Sequence, residues 1–199
     1  SESCLSIISH INCVENRINN LKNIISNEPV MRDFSSFVNL NLNNALEKIK
    51  NNFSIKFTSK EIQQNLLNIH KIISPSDFGF HNTLLKNNNL YFLDFEYAGW
   101  DDPAKLICDF ICHPEIPVNE QLSKLFSDSI VSWLKTPEDM NEKIRALLPL
   151  YRLKWCCIIL NEFTSVGRDR RMHSENTQSL ENQLNKSVDY FKEYFNSIN

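Results

Sequence analysis

Apolar residues recur at helical spacing along most of this chain, and a single stretch breaks the rhythm. Leu5, Ile8, Ile11 and Val14 form one stripe, which Ile18, Leu21, Ile24 and Ile25 continue; Phe34, Phe37, Val38, Leu42, Leu46 and Ile49 form a second. Glu28-Pro29 divides them, because proline pushes the residue before it out of helical geometry. The exception is a pair of short apolar runs, Thr83-Leu84-Leu85 and Leu90-Tyr91-Phe92-Leu93, joined by Lys86-Asn87-Asn88-Asn89. Asparagine tolerates positive φ, so these predict a β-hairpin with a tight asparagine turn, fed by a short β-like step at Ile72-Ile73.

Around the hairpin the helical signals are local and explicit. Thr58-Ser59-Lys60-Glu61 fits a capping box opening a helix to about His70. Asp102 followed by Pro103 predicts an N-cap and a first helical residue, with the helix running through Leu106, Ile107 and Phe110. A helix from about Asn119 to Lys135 should turn Leu122, Leu125, Phe126, Ile130 and Leu134 inward. Another should start at Thr136-Pro137-Glu138-Asp139 and reach about Val166, with Pro149 kinking or dividing it. After the charged connection Gly167–Arg171, a last helix is expected from about Ser174 to Ile198. No internal repeat and no linker-like composition shift occurs, so residues 1–199 are expected to form one domain, mainly α with a small β-hairpin (α+β).

Composition narrows the function classes. Only three glycines occur, Gly79, Gly99 and Gly167, which leaves no glycine-rich loop to cover phosphates. A net charge of −3 gives no basic surface for tracking a nucleic-acid backbone. The sequence opens without a basic-then-apolar leader and holds no apolar run of bilayer length, which predicts a cytoplasmic protein with no membrane partner. The six cysteines, at 4, 13, 108, 112, 156 and 157, lack framework spacing and are expected to be reduced thiols. Cys108, Cys112 and His113 have no second ligand pair to complete a zinc site, and buried thiols on a helix face are the expectation.

The chemistry concentrates in Ser74–Asn82 and Phe92–Tyr97. Asp77 can accept the proton of an attacking hydroxyl, or orient that hydroxyl. Asn82 and Asp94 can supply hard oxygen ligands to the magnesium that neutralises ATP phosphates. The hairpin should bring Asn82 and Asp94 together. Glu96 could orient Asp94, take part in a second metal site, or face solvent. Asp101 and Asp102 are expected as turn and cap residues; with Glu162 they could also line an acidic acceptor pocket, although a solvated charged surface is the simpler expectation. Tyr151, Trp155 and Phe163 could flank that pocket, but Trp155 and Phe163 fit the core more simply.

Asp77-Phe78-Gly79-Phe80-His81-Asn82 resembles the catalytic loop of the aminoglycoside phosphotransferase and choline kinase-like family. Leu93-Asp94-Phe95-Glu96-Tyr97, followed by Gly99-Trp100-Asp101-Asp102-Pro103, resembles its metal-binding segment. The resemblance implies the C-terminal lobe of the protein kinase-like fold, using ATP, magnesium and a small-molecule hydroxyl acceptor such as an aminoglycoside, amino alcohol or sugar. It places Asp109 where the family keeps a buried acid, here expected to accept hydrogen bonds from the catalytic-loop backbone. Pro75 departs from the pattern, standing where the family usually has histidine. The N-terminal lobe, with its strand lysine and phosphate-covering loop, is also absent from these residues, so it is an expected partner and the chain alone is expected to be a weak or inactive catalyst. The competing expectations are a non-catalytic pseudokinase-type helical interaction module and, less strongly, a magnesium-dependent phosphohydrolase.

Overall fold

The computed structural model describes residues 3–134, 139–164, 167 and 179–195. These are mostly helical, with two small antiparallel sheets of two strands each. The chain forms two compact units, Ser1–His10 with Phe57–Tyr151, and Ile11–Lys56 with Arg152–Asn199. Among the described residues no helix is long and apolar enough to cross a membrane.

The second unit is helical. Its part of α1 (Ile7–Lys22) buries Val14, Ile18 and Leu21 of the expected stripe, but the helix ends before Ile24 and Ile25, and Ile25 is exposed. After the break at Pro29, α2 (Met31–Ser36) passes through a π-helical turn (Phe37–Leu42) into α3 (Asn43–Lys56) without leaving helical backbone. The rest of α7 (Met140–Ile159), a 3₁₀ turn (Leu160–Phe163) and α8 (Leu180–Phe195) complete the unit. Phe34 stacks on Phe163 with ring centroids 4.2 Å apart, and the Arg152 guanidinium lies 3.7 Å from the Tyr194 ring centroid. The buried Ser187 hydroxyl donates to the Cys156 carbonyl at 3.0 Å. The expected helix start at Thr136–Glu138, the charged connection and both ends expected for the last helix fall wholly or largely outside the described residues.

The first unit holds all four strands. The capping box forms: Thr58 Oγ1 accepts from Glu61 N–H at 3.3 Å, and Glu61 Oε2 accepts from Thr58 N–H at 2.7 Å. The helix it opens is shorter than expected, however: α4 is Ser59–Gln63, and the chain reaches His70 through extended residues and a 3₁₀ turn (Asn68–His70). Leu67 and Ile69 are exposed, so no buried face rewards helix there, and the Leu66 N–H is instead taken by the Leu5 carbonyl at 2.6 Å.

Strand β1 (Ile72–Ser74) pairs antiparallel with β4 (Gly99–Asp101), Ile72 opposite Asp101 and Ser74 opposite Gly99. Inside that ribbon lies the predicted hairpin, β2 (Thr83–Lys86) against β3 (Asn89–Phe92), with Thr83 opposite Phe92 and Lys86 opposite Asn89. Asn87 and Asn88 close it with φ of 52° and 60°, the mirror-image turn that matches strand twist.

Helix α5 (Pro103–Cys112) follows, capped by the Asp102 carboxylate, which accepts from Ala104 N–H at 2.8 Å. Asn119 caps α6 (Glu120–Trp133) in the same way, accepting from Leu122 N–H. The inward face of α6 differs from the expected one: Leu122 and Leu125 are exposed, while Ser123 is buried. An aromatic cluster sets the face. Phe126 packs on Phe110 of α5 at 4.1 Å and on Phe78 at 5.8 Å. On α5, Cys108 and Cys112, one turn apart, direct their thiols at the Ile144 and Leu148 carbonyls of α7, also one turn apart. No disulfide joins the six cysteines.

Candidate functional site

Two nested ribbons shape the site. The outer pair β1–β4 and the inner pair β2–β3 bracket two loop segments, residues 75–82 and 93–98, which therefore lie between two fixed ends. The inner ladder continues one rung further, with Leu93 N–H donating to the Asn82 carbonyl at 2.9 Å. Asn82 is thus set opposite Leu93, with Asp94 next along the chain.

Within the first segment the Asn82 side-chain amide donates to the Asp77 carbonyl at 2.9 Å, and Asn82 N–H donates to the Gly79 carbonyl at 3.1 Å. With Nδ2 engaged, Oδ1 of Asn82 is the atom left for an external ligand. The Asp77 side chain is 56 % exposed and meets His81 Nε2 through Oδ1 at 3.1 Å. Phe78 turns the other way, onto Phe92 at 5.0 Å, and pins the loop to the aromatic cluster. Ser76, with φ of 73°, and Asp94, with φ of 60°, both occupy the left-handed region. Non-glycine residues held there are uncommon and gather at functional sites. Asp94 is exposed, and its carboxylate has no hydrogen-bond or ion-pair partner among the described residues. Glu96 is an exposed turn residue, where Ala98 N–H closes on the Phe95 carbonyl at 3.0 Å.

Helix α5 anchors the outer ribbon through buried charge. Asp101 Oδ1 accepts from Cys4 N–H and Asp102 N–H, each at 2.9 Å, and Oδ2 takes the Lys105 ammonium at 2.7 Å. Burial alone would lower the Lys105 pKa, but the charges of Asp109 and Asp101 outweigh it and raise it. Asp109 is buried, with its charge acting on Lys105. Asp102 also receives Lys143 and His10 Nε2, whose Nδ1 lies 2.7 Å from the Tyr151 hydroxyl. Burial would raise the Asp102 pKa; the interactions with His10 and Lys143 overcome that and bring it to about 2.

Asp101 and Asp102 are therefore neither a solvated surface nor an acidic acceptor pocket, because internal cations and amides consume their oxygens. Tyr151 is likewise buried on His10 instead of lining a pocket, while Trp155 and Phe163 are buried as the simpler expectation held.

Sequence reasoning gave no role to His81 or His113, whose rings stack at 3.9 Å and 14°. A signal existed in Asp77 and His81 standing four apart across a glycine. His113 is held neutral: burial, then the neighbouring His81, lowers its pKa to about 4.

Among the described residues no group of three or more His, Cys, Asp or Glu side chains is gathered for a metal ion. A pair of candidate oxygen donors, Asn82 Oδ1 and the Asp94 carboxylate, is carried on the two loop segments, one on each. That suits magnesium, which binds one or two protein oxygens together with water and phosphate, and does not suit a zinc-type cage. No protein-family model matches the chain, and no curated protein matches it.

Proposed function

We propose that this chain is the catalytic lobe of a cytoplasmic, ATP-dependent small-molecule phosphotransferase of the protein kinase-like fold. The observation that carries the proposal is the nested ribbon pair, which sets Asn82 beside the Asp94 segment while the Asn82 amide grips the Asp77 backbone. Two carboxylates, of Asp77 and Asp94, and the Asn82 amide oxygen are thus carried on two short loops with fixed ends.

In this proposal Asp77 is the proton acceptor. The acceptor hydroxyl oxygen forms a bond to the γ-phosphorus, the bond from that phosphorus to the ADP oxygen breaks, and the hydroxyl proton passes to the Asp77 carboxylate. Asn82 and Asp94 would hold magnesium, which when bound neutralises charge on the nucleotide phosphates. Glu96, exposed in the adjoining turn, is available to support Asp94, and Asp109 would act as a buried structural acid on α5. Leu84, Leu90, Tyr91 and Leu93 leave the hairpin apolar and exposed, a surface suited to the nucleotide and to a phosphate-binding N-terminal lobe.

The test is ADP release from Mg-ATP by the full-length protein with kanamycin, ethanolamine or glucose, run beside Asp77→Asn. Acceptor-dependent release reduced by about 10²–10⁴-fold in the variant is the expected result, the usual size of a general-base contribution. Release needing no acceptor would point to phosphohydrolysis. Silence with every acceptor and no Mg-ATP binding would leave a non-catalytic helical interaction module.

A further inference from the structure

We infer that His81 is the positioning residue for Asp77, fixing which carboxylate oxygen faces the acceptor; this rests on the phosphotransferase proposal above. An aspartate side chain more than half exposed is free to rotate, and a proton acceptor must be held near its productive geometry to be effective. His81 supplies the restraint from within the same loop.

A carboxylate can only accept, so the 3.1 Å contact between His81 Nε2 and Asp77 Oδ1 requires the hydrogen on Nε2. His81 Nδ1 is buried with no hydrogen-bond partner among the described residues. A hydrogen there would leave an unsatisfied buried donor, so Nε2 is the nitrogen whose hydrogen the surroundings satisfy.

The ring is held on two sides. One face stacks on His113, whose own Nδ1 accepts from Glu115 N–H at 3.2 Å. On another side lies Gly79, where an added Cβ would sit 2.6 Å from His81 Nδ1 and 2.8 Å from Cε1. Gly79 has φ of −179°, which any residue adopts, so glycine is needed here for the space it leaves and not for its backbone freedom. Asp77 is thus fixed twice, at its carbonyl by Asn82 and at Oδ1 by His81. Oδ2 remains for the acceptor hydroxyl.

Two measurements test this on the full-length protein. The first is nitrogen-15 NMR of the histidine rings without ligand at alkaline pH, where His81 is expected as the Nε2–H tautomer. The second is kinetics with kanamycin, ethanolamine or glucose as acceptor. His81→Phe keeps a stacking ring and removes the donor; it should lower kcat by about 10–100-fold with KM for Mg-ATP little changed, the scale of a misplaced catalytic group. His81→Gln restores a donor and should recover part of that loss, and Gly79→Ala should reproduce the His81→Phe defect with the circular dichroism spectrum unchanged. An Nδ1–H tautomer, or wild-type kcat in a folded His81→Phe, overturns the positioning role and leaves the phosphotransferase proposal standing. Wild-type protein that turns over none of the acceptors overturns that proposal, and the role of His81 in it.

Discussion

The side-chain amide of Asn82 holds the backbone carbonyl of Asp77 at 2.9 Å through its nitrogen, so one residue closes the loop that carries Asp77 and keeps its side-chain oxygen out of that bond. Structure and chemistry are coupled at this residue, and substitutions can separate them.

Asn82→Ala should lower stability by about 1 kcal/mol, the net worth of one hydrogen bond, and weaken Mg-ATP binding. Asn82→Asp keeps an oxygen ligand but sets a carboxylate against the Asp77 carbonyl, so it should be the less stable of the two. Urea unfolding and Mg-ATP titration of both variants check the order.

At Asp94 the effects should be opposite in kind. With φ of 60°, glycine fits the backbone at least as well, so Asp94→Gly should keep or raise the melting temperature while Mg-dependent ATP binding is lost. Asp94→Val should lose binding and also about 1–2 kcal/mol of stability, the penalty for a branched residue in the left-handed region. Thermal melts beside metal titrations separate the two effects.

Acid should destabilise the protein in two windows. The folded-state pKa of His113 is depressed to about 4 from an ordinary 6.5, so as pH falls from 6.5 to about 4 the unfolded chain takes up a proton that the folded state does not, and stability is lost across that window. Asp102 is depressed to about 2 from 3.8, so its stabilising charge is fully present above 3.8 and lost as pH falls through about 2. The second step is worth about 2 kcal/mol. His113→Phe should flatten the first window only, and Asp102→Asn the second, in unfolding free energies measured against pH.

Lys105 and Asp101 form a buried ion pair at 2.7 Å with little solvent access. Lys105→Met should cost about 3 kcal/mol by stranding the Asp101 carboxylate, and adding Asp101→Asn should recover part of the loss. Urea unfolding of the single and double variants measures the coupling.

Local signals made much of the fold legible. The Thr58–Glu61 box, the Asp102 cap and the Asn87-Asn88 turn are each written within a few residues and each forms. Partnerships distant in sequence were not legible. Strand β4 is only Gly99–Asp101, too short to show alternation, and it exists because β1 lies beside it. The helix after Ser59 ends early for want of a buried face, and α6 is turned by Phe126 meeting Phe110, a contact that periodicity along one helix cannot foresee. At the candidate site, Asp77, Asn82 and Asp94 were readable as residue types at a spacing. The His10–Asp102–Lys143 cluster was not, because its members lie far apart in the chain.

The tip of a hairpin is ordinarily where a protein best tolerates gain or loss of residues. In this chain the two asparagines at the tip set the strand register, and the register decides which residue stands across from Asn82. One residue inserted between Asn87 and Asn88 and absorbed as a shift in pairing would carry Asp94 a full strand step, about 3.3 Å, out of place. The length of the tip, at the far end of the hairpin from Asp77, therefore acts as the gauge for the candidate metal site, and length variation there should be as damaging as replacing a ligand.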